Sequence, residues 1–229
     1  MFRPLTGFAL AAALLAGAGL SLAQTVPPNT EEEVDKLIAV LKSDAPHKEK
    51  VDACRGLAVV GTKDAVPALA ALLSDEKLSH MARYALEPIP DPSVDQALRN
   101  AAGKLKGRLL VGVVGSLGVR RDAAAVPLLL PMLKEPDADV ARTAARSLGK
   151  IASPEAAKAL SEALATAPEA VRPAVGNGCL ACAETLLAEG KRSEAAAMYE
   201  RVGKADLPKH FRVAAAQGLI LARQPAEKE

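Results

Sequence analysis

The sequence predicts an all-α protein: an α-solenoid, or superhelix, of about six antiparallel helix pairs. Three observations lead there. Half of the 229 residues are hydrophobic, yet only 2% are aromatic and Trp is absent. The apolar content is therefore mostly Ala, Leu and Val, and Ala and Leu rank among the strongest helix formers. Second, three stretches align without gaps: "RGLAVVGTKDAVPALAALL", "GSLGVRRDAAAVPLLLPML" and "RSLGKIASPEAAKALSEAL". Third, Gly and Pro fall where helices must end.

The first 23 residues read as an export signal. "MFRPLTGFALAAALLAGAGLSLAQ" has a basic start at Arg3, an apolar run from Leu5 to Leu20, and small residues at Ser21 and Ala23. That pattern suits signal peptidase and places cleavage after Ala23. No Cys follows the run, so a lipoprotein anchor is not expected. Every later apolar segment carries charges, so no membrane span is expected in the mature chain. The expected location is the periplasm or the exterior, an oxidising compartment.

Residues 24–165 carry the repeat. Its anchor leucines are Leu57, Leu86, Leu117 and Leu148, spaced by 29, 31 and 31 residues. The second copy, "YALEPIPDPSVDQALRNAA", is degenerate; later anchors are Leu186 and Leu219. Twelve residues beyond the anchors stand Leu69, Leu98, Leu129, Leu160 and Met198. Sixteen beyond stand Leu73, Ala102, Leu133, Leu164 and Val202. Four before stand Ala53, Ala82, Val113, Ala144, Cys182 and Ala215. Positions four apart share a helix face, so each unit is a helix–turn–helix whose apolar faces only stacking can bury. Gly61, Gly118, Gly149 and Gly190 lie just past the anchors and are expected as helix C-caps. Asp137 and Asp139 are expected to cap the helix that follows them. The three prolines of "EPIPDP" (87–92) must end a helix near Leu86, at a place where a bend in the stack is expected.

The stretch "DADVARTAARSLGKIASPEAAKALSEAL" resembles a HEAT repeat of the short kind found in bilin-lyase-like proteins. The matching pieces are the Asp at the helix start, then Val140 and Arg142, then "AARSLG". The resemblance covers most of residues 31–165. It implies an α-solenoid whose usual role is protein binding, with lyase activity in a minority of members.

Residues 166–229 depart from this pattern while continuing the solenoid. Leu164 and Cys182 stand 18 residues apart, against 9 to 13 between the matching columns elsewhere. "AETLLAEGKRSEAAAMYERV" resembles a tetratricopeptide unit. A last helix from about Pro208 to Arg223 keeps an apolar face that no further repeat covers before Glu229.

Candidate chemistry is sparse. Cys179 and Cys182 form a CxxC in "GCLAC". A thioredoxin-like pair needs a βαβ setting, and a zinc site needs two further ligands at short spacing; neither is in sight. Cys182 also occupies a column otherwise filled by Ala or Val. Three readings stay open: structural thiols, a local disulfide or redox-labile pair, and a metal pair. If "GNG" (176–178) interrupts the helix, Cys179 falls in a first turn, where the helix dipole lowers a thiol pKa. "GVVGSLG" (112–118) has neither the spacing nor the preceding strand of a phosphate loop. His47, His80 and His210 lie in different repeats. No catalytic residue, metal site or cofactor is expected.

What remains is a surface. Nine, six and two residues before the anchors, the second helix of each pair projects Lys48, Lys77 and Arg108, then His80 and Arg142, then Arg55, Tyr84 and Arg146. If these helices line the concave side, the partner-binding candidates are Arg55, Lys77, His80, Tyr84, Arg108, Arg142 and Arg146. Arg142 is also a candidate for pairing with an Asp of the neighbouring repeat. A net charge of +2, from 29 basic and 27 acidic residues, gives no dominant field for nucleic acid. The expected function is a non-catalytic exported scaffold that binds protein partners along the solenoid. Alternatives are a bilin-lyase-like or thiol-dependent maturation factor using Cys179 and Cys182, and a docking segment of a larger exported enzyme.

Overall fold

The computed structural model describes residues 30–224; the expected export signal lies outside them. Twelve α-helices occupy this span: α1 (Thr30–Lys42), α2 (His47–Val60), α3 (Val66–Ala71), α4 (Ser79–Leu86), α5 (Pro92–Ala102), α6 (Gly107–Val119), α7 (Val126–Met132), α8 (Ala138–Ile151), α9 (Pro154–Thr166), α10 (Arg172–Ala188), α11 (Arg192–Lys204) and α12 (Lys209–Arg223). They form six pairs in chain order, and no strand occurs among the described residues. The even-numbered helices stack on one another as one layer, with each odd-numbered helix packed beside them.

The repeat register is the burial register. Leu57, Leu86, Leu117 and Leu148 are fully buried, as are Leu69, Leu98, Leu129 and Leu160 twelve positions on. Ala53, Ala82, Val113, Ala144, Cys182 and Ala215 are buried as well. The columns join into one contiguous core running from Val34 to Ala222.

A further column, five residues past the anchor, controls how odd-numbered helices begin. It holds Thr62, Asp91, Asp122 and Ser153. Each side chain accepts a backbone N–H one turn on: Asp64 N, Ser93 N, Ala124 N and Ala156 N respectively. Such caps satisfy N–H groups that the helix itself leaves unpaired. Pro67, Pro92, Pro127 and Pro154 follow in the first turn, where the missing N–H costs nothing.

Several expectations about turns are corrected. Gly61 does terminate α2, and Gly190, at φ +76°, follows α10 in the left-handed region. Gly118 and Gly149, however, lie inside α6 and α8. A Cβ on Gly118 would meet Ser147 Cα at 2.7 Å, and one on Gly149 would meet Gly178 O at 2.6 Å. They are glycines because neighbouring helices touch backbone to backbone there. Asp137 alone is the N-cap of α8, accepting from Asp139 N and Val140 N, while Asp139 belongs to the first turn. The "GNG" interrupts nothing: α10 runs unbroken through 176–178. The extra residues after Leu164 form the 167–171 connection and the early turns of α10.

Candidate partner-binding face

The even-numbered helices expose one stripe each. His80 and Tyr84 on α4, Arg108 on α6, Arg55 on α2 and Arg146 on α8 are exposed, and Arg142 on α8 is half-buried; Lys77, expected on the helix, is exposed in the turn just before α4, which begins only at Ser79. The structure therefore brings the sequence-predicted candidates onto one layer of helices. Tyr84 is 54% exposed, which is high for an aromatic side chain.

Their partners divide them. Arg55 pairs with Asp52, and Arg142 with Asp139, each three residues away on its own helix. Arg142 thus makes no ladder to the neighbouring repeat, because the helix supplies an acid within reach of its guanidinium. Arg83 Nη2 lies 3.4 Å from His80 Nδ1. Lys48, Lys77, Arg108, Arg146 and Lys150 have no ion-pair partner among the described residues. The run of cations stops at α10, whose corresponding positions are Asn177, Leu180 and Glu184.

Behind this face a polar network fixes α4 against α6. Arg83 Nη1 donates to Gly112 O at 3.2 Å, and its guanidinium fills the space where a Gly112 Cβ would stand. Burial lowers the Arg83 pKa, with Glu87 opposing that shift. Ser116 Oγ donates to Glu87 Oε1 at 2.7 Å. Arg120 donates to Glu87 O, Ile89 O and Asp91 O, and forms an ion pair with Asp95. One guanidinium thereby holds the whole proline-rich connection. Sequence reasoning missed Arg120, because three of its acceptors are main-chain carbonyls, which leave no trace in the sequence.

The cysteines sit away from this face. Cys54, Cys179 and Cys182 are free thiols with no exposed surface. Burial pushes Cys179 up to about 12, with Cys182 adding to the shift, and pushes Cys54 and Cys182 up to about 11. Cys179 lies mid-helix, so the dipole-lowered thiol expected from a broken helix does not arise. "GVVGSLG" is likewise the interior of α6. Among the described residues no group of three or more His, Cys, Asp and Glu side chains is placed to hold a metal ion, and no helix is long and apolar enough to cross a membrane.

The family comparison covers the centre of this architecture. Residues 107–176, from α6 into the first turns of α10, match the family described as HEAT repeats. Residues 107–176 are thus similar to HEAT repeats, set within an α-solenoid. No curated protein matches the chain by sequence. Among solved structures, this chain is similar to an engineered protein at 18% identity, covering 83% of this chain and 96% of that one, with a TM-score of 0.49. It is similar to the complex of CpcE and CpcF of phycocyanin lyase from Nostoc sp. PCC7120 at 22% identity, covering 86% and 80%, with a TM-score of 0.43. It is also similar to human deoxyhypusine hydroxylase in complex with glycerol at 16% identity, covering 84% and 96%, with a TM-score of 0.45. Likeness at this level says nothing of activity.

Clefts occur on both layers of the solenoid. Between the odd-numbered helices α7 and α9 lies a mainly apolar cleft of about 610 Å³, lined by Leu130, Leu133, Ala163 and Pro168. On the cationic face, a cleft of about 480 Å³ between α8 and α10 is walled by Arg142 and Arg146 and floored by Pro173 and Ala174.

Proposed function

We propose that this chain is an exported, non-catalytic scaffold that binds a protein partner across the even-numbered helices α2 to α8. The observation that carries the reading is the exposed Tyr84 set among cations with no ion-pair partner, contributed by several helices of one layer. Tyr and Arg are the residues from which interface hot spots are commonly built. Export rests on the first 23 residues, with cleavage after Ala23 leaving Gln24 as the mature N-terminus. The thiol-dependent alternative has no open thiol behind it, since Cys179 and Cys182 are fully buried.

The test is a photo-crosslinking amino acid placed at Tyr84, and separately at Glu162 on α9 of the other layer, in cells that export the chain. A discrete adduct at 84 and none at 162 supports the scaffold reading. Equal adducts at both positions, or none at either, sink it. N-terminal sequencing of the exported chain tests the cleavage site, and any start other than Gln24 overturns it.

A further inference from the structure

The even-numbered face is built as parallel rows crossing the helices. Lys48 on α2, Lys77 in the turn that leads into α4, and Arg108 on α6 stand at one register position, nine residues before their anchors. Seven residues on, Arg55, Tyr84 and Arg146 stand at another, on α2, α4 and α8. At about 1.5 Å rise per residue the two rows lie about 10 Å apart. Between them runs a row holding Val51, His80, Val111 and Arg142, of which the two valines are half-buried. At Gly115, within the second row on α6, an added Cβ would meet nothing nearer than Thr143 Cγ2 at 3.9 Å. The face is thus lowest over α6, with cationic rows on either side.

Resting on the reading of this face as a docking surface, we infer that its occupant is an extended acidic segment, with carboxylates recurring about every third residue, lying over the middle row along the stack. Charge and spacing both select it. Neighbouring packed helices are about 8–10 Å apart, so the cations that α2, the entry turn of α4, α6 and α8 contribute recur at about that interval along the stack. An extended polyproline-type chain has three residues per turn and a rise of about 3.1 Å, which brings every third side chain to one side at about 9 Å. An α-helix with its side chains is about 10–12 Å across, as wide as the separation of the two rows, so an extended chain fits between them more readily. Asp52 and Asp139 are already paired to Arg55 and Arg142, while Lys48, Lys77, Arg108 and Arg146 have no ion-pair partner among the described residues and are left for a ligand's carboxylates.

The experiment is fluorescence anisotropy on the full chain with a labelled peptide of Glu-Pro-Ala repeats spanning the rows, about ten residues at roughly 3.1 Å each. Comparison probes are a peptide of the same composition with its Glu residues clustered, a Lys-Pro-Ala peptide, and a DNA duplex. Binding of the Glu-Pro-Ala peptide is expected to weaken at least about tenfold in K77E/R108E and to fall with added salt, as screened charges require. The charge reversals K134E/K158E, on the odd-numbered side, are expected to leave it unchanged. Circular dichroism confirms that each variant keeps its helices. Equal binding to K77E/R108E, or equal binding of the clustered peptide or the duplex, overturns the inference. If Tyr84 crosslinks a partner while the Glu-Pro-Ala peptide does not bind, the acidic occupant falls and the docking surface stands. If neither occurs, both fall.

Discussion

Gly149 of α8 and Gly178 of α10 meet backbone to backbone. A Cβ on Gly149 would stand 2.8 Å from Gly178 Cα, and a Cβ on Gly178 would stand 2.5 Å from Ala145 O. The neighbouring atoms are main chain, so no rotamer change makes room. Gly149→Ala and Gly178→Ala are each expected to destabilise by about 1–3 kcal/mol, the usual cost of overpacking. Gly115→Ala is the control. Its site is open, and the gain in helix propensity over Gly, about 1 kcal/mol, makes it neutral or stabilising. Urea denaturation of the three variants checks this, and equal effects at all three positions contradict it.

Arg120 is the second expectation. It holds three carbonyls of the proline-rich connection and the Asp95 carboxylate, with a side chain only 10% exposed. Arg120→Ala leaves these acceptors without their partner and is expected to cost about 2–4 kcal/mol. Arg120→Lys restores charge but not the planar fork of donors, so it recovers only a minor part of the loss. Thermal unfolding of both variants measures this; full rescue by Lys would show that charge alone matters.

The thiols predict a pH dependence. Burial raises Cys54 and Cys182 to about 11 and Cys179 to about 12, from an ordinary value of 9.0. The folded state therefore keeps protons that the unfolded state releases. This contribution to stability is fully present below pH 9 and is lost as pH rises toward 11–12. Denaturant midpoints compared between the parent and a triple Cys→Ala variant isolate the effect, because the variant's stability falls less steeply above pH 9. For the same reason, iodoacetamide labels none of the three in the native protein near neutral pH, and labels all of them once the chain unfolds.

Two glycines with different geometry give opposite signs. Gly190 sits at φ +76° with nothing within 4 Å of an added Cβ. Gly190→Ala therefore acts through backbone strain alone and is expected to cost about 1 kcal/mol. Gly103 ends α5 at φ −73°, where Ala fits without strain and restricts the unfolded chain. Gly103→Ala is expected to stabilise by about 0.4–1 kcal/mol. Differential scanning calorimetry distinguishes the two.

Sequence alone determined the helix pairs, their number and their buried columns, because each unit repeats the same apolar positions at helical spacing. It could not tell that Lys77 falls in the turn before α4, because the short helix begins only at Ser79. It did not separate Gly61, which caps α2, from Gly149, which touches Gly178: both follow an anchor leucine, and only the neighbouring helix tells them apart. "GNG" looked like a break for the same reason, although its Gly178 is the point of contact with α8. Arg120 was unreadable because its acceptors are main-chain carbonyls some thirty residues away, and carbonyls carry no sequence identity. The cysteines show the division most plainly. Their spacing suggested a reactive pair, but reactivity depends on solvent and field at sulfur, and the packing of α10 among its neighbours buried both thiols in apolar surroundings.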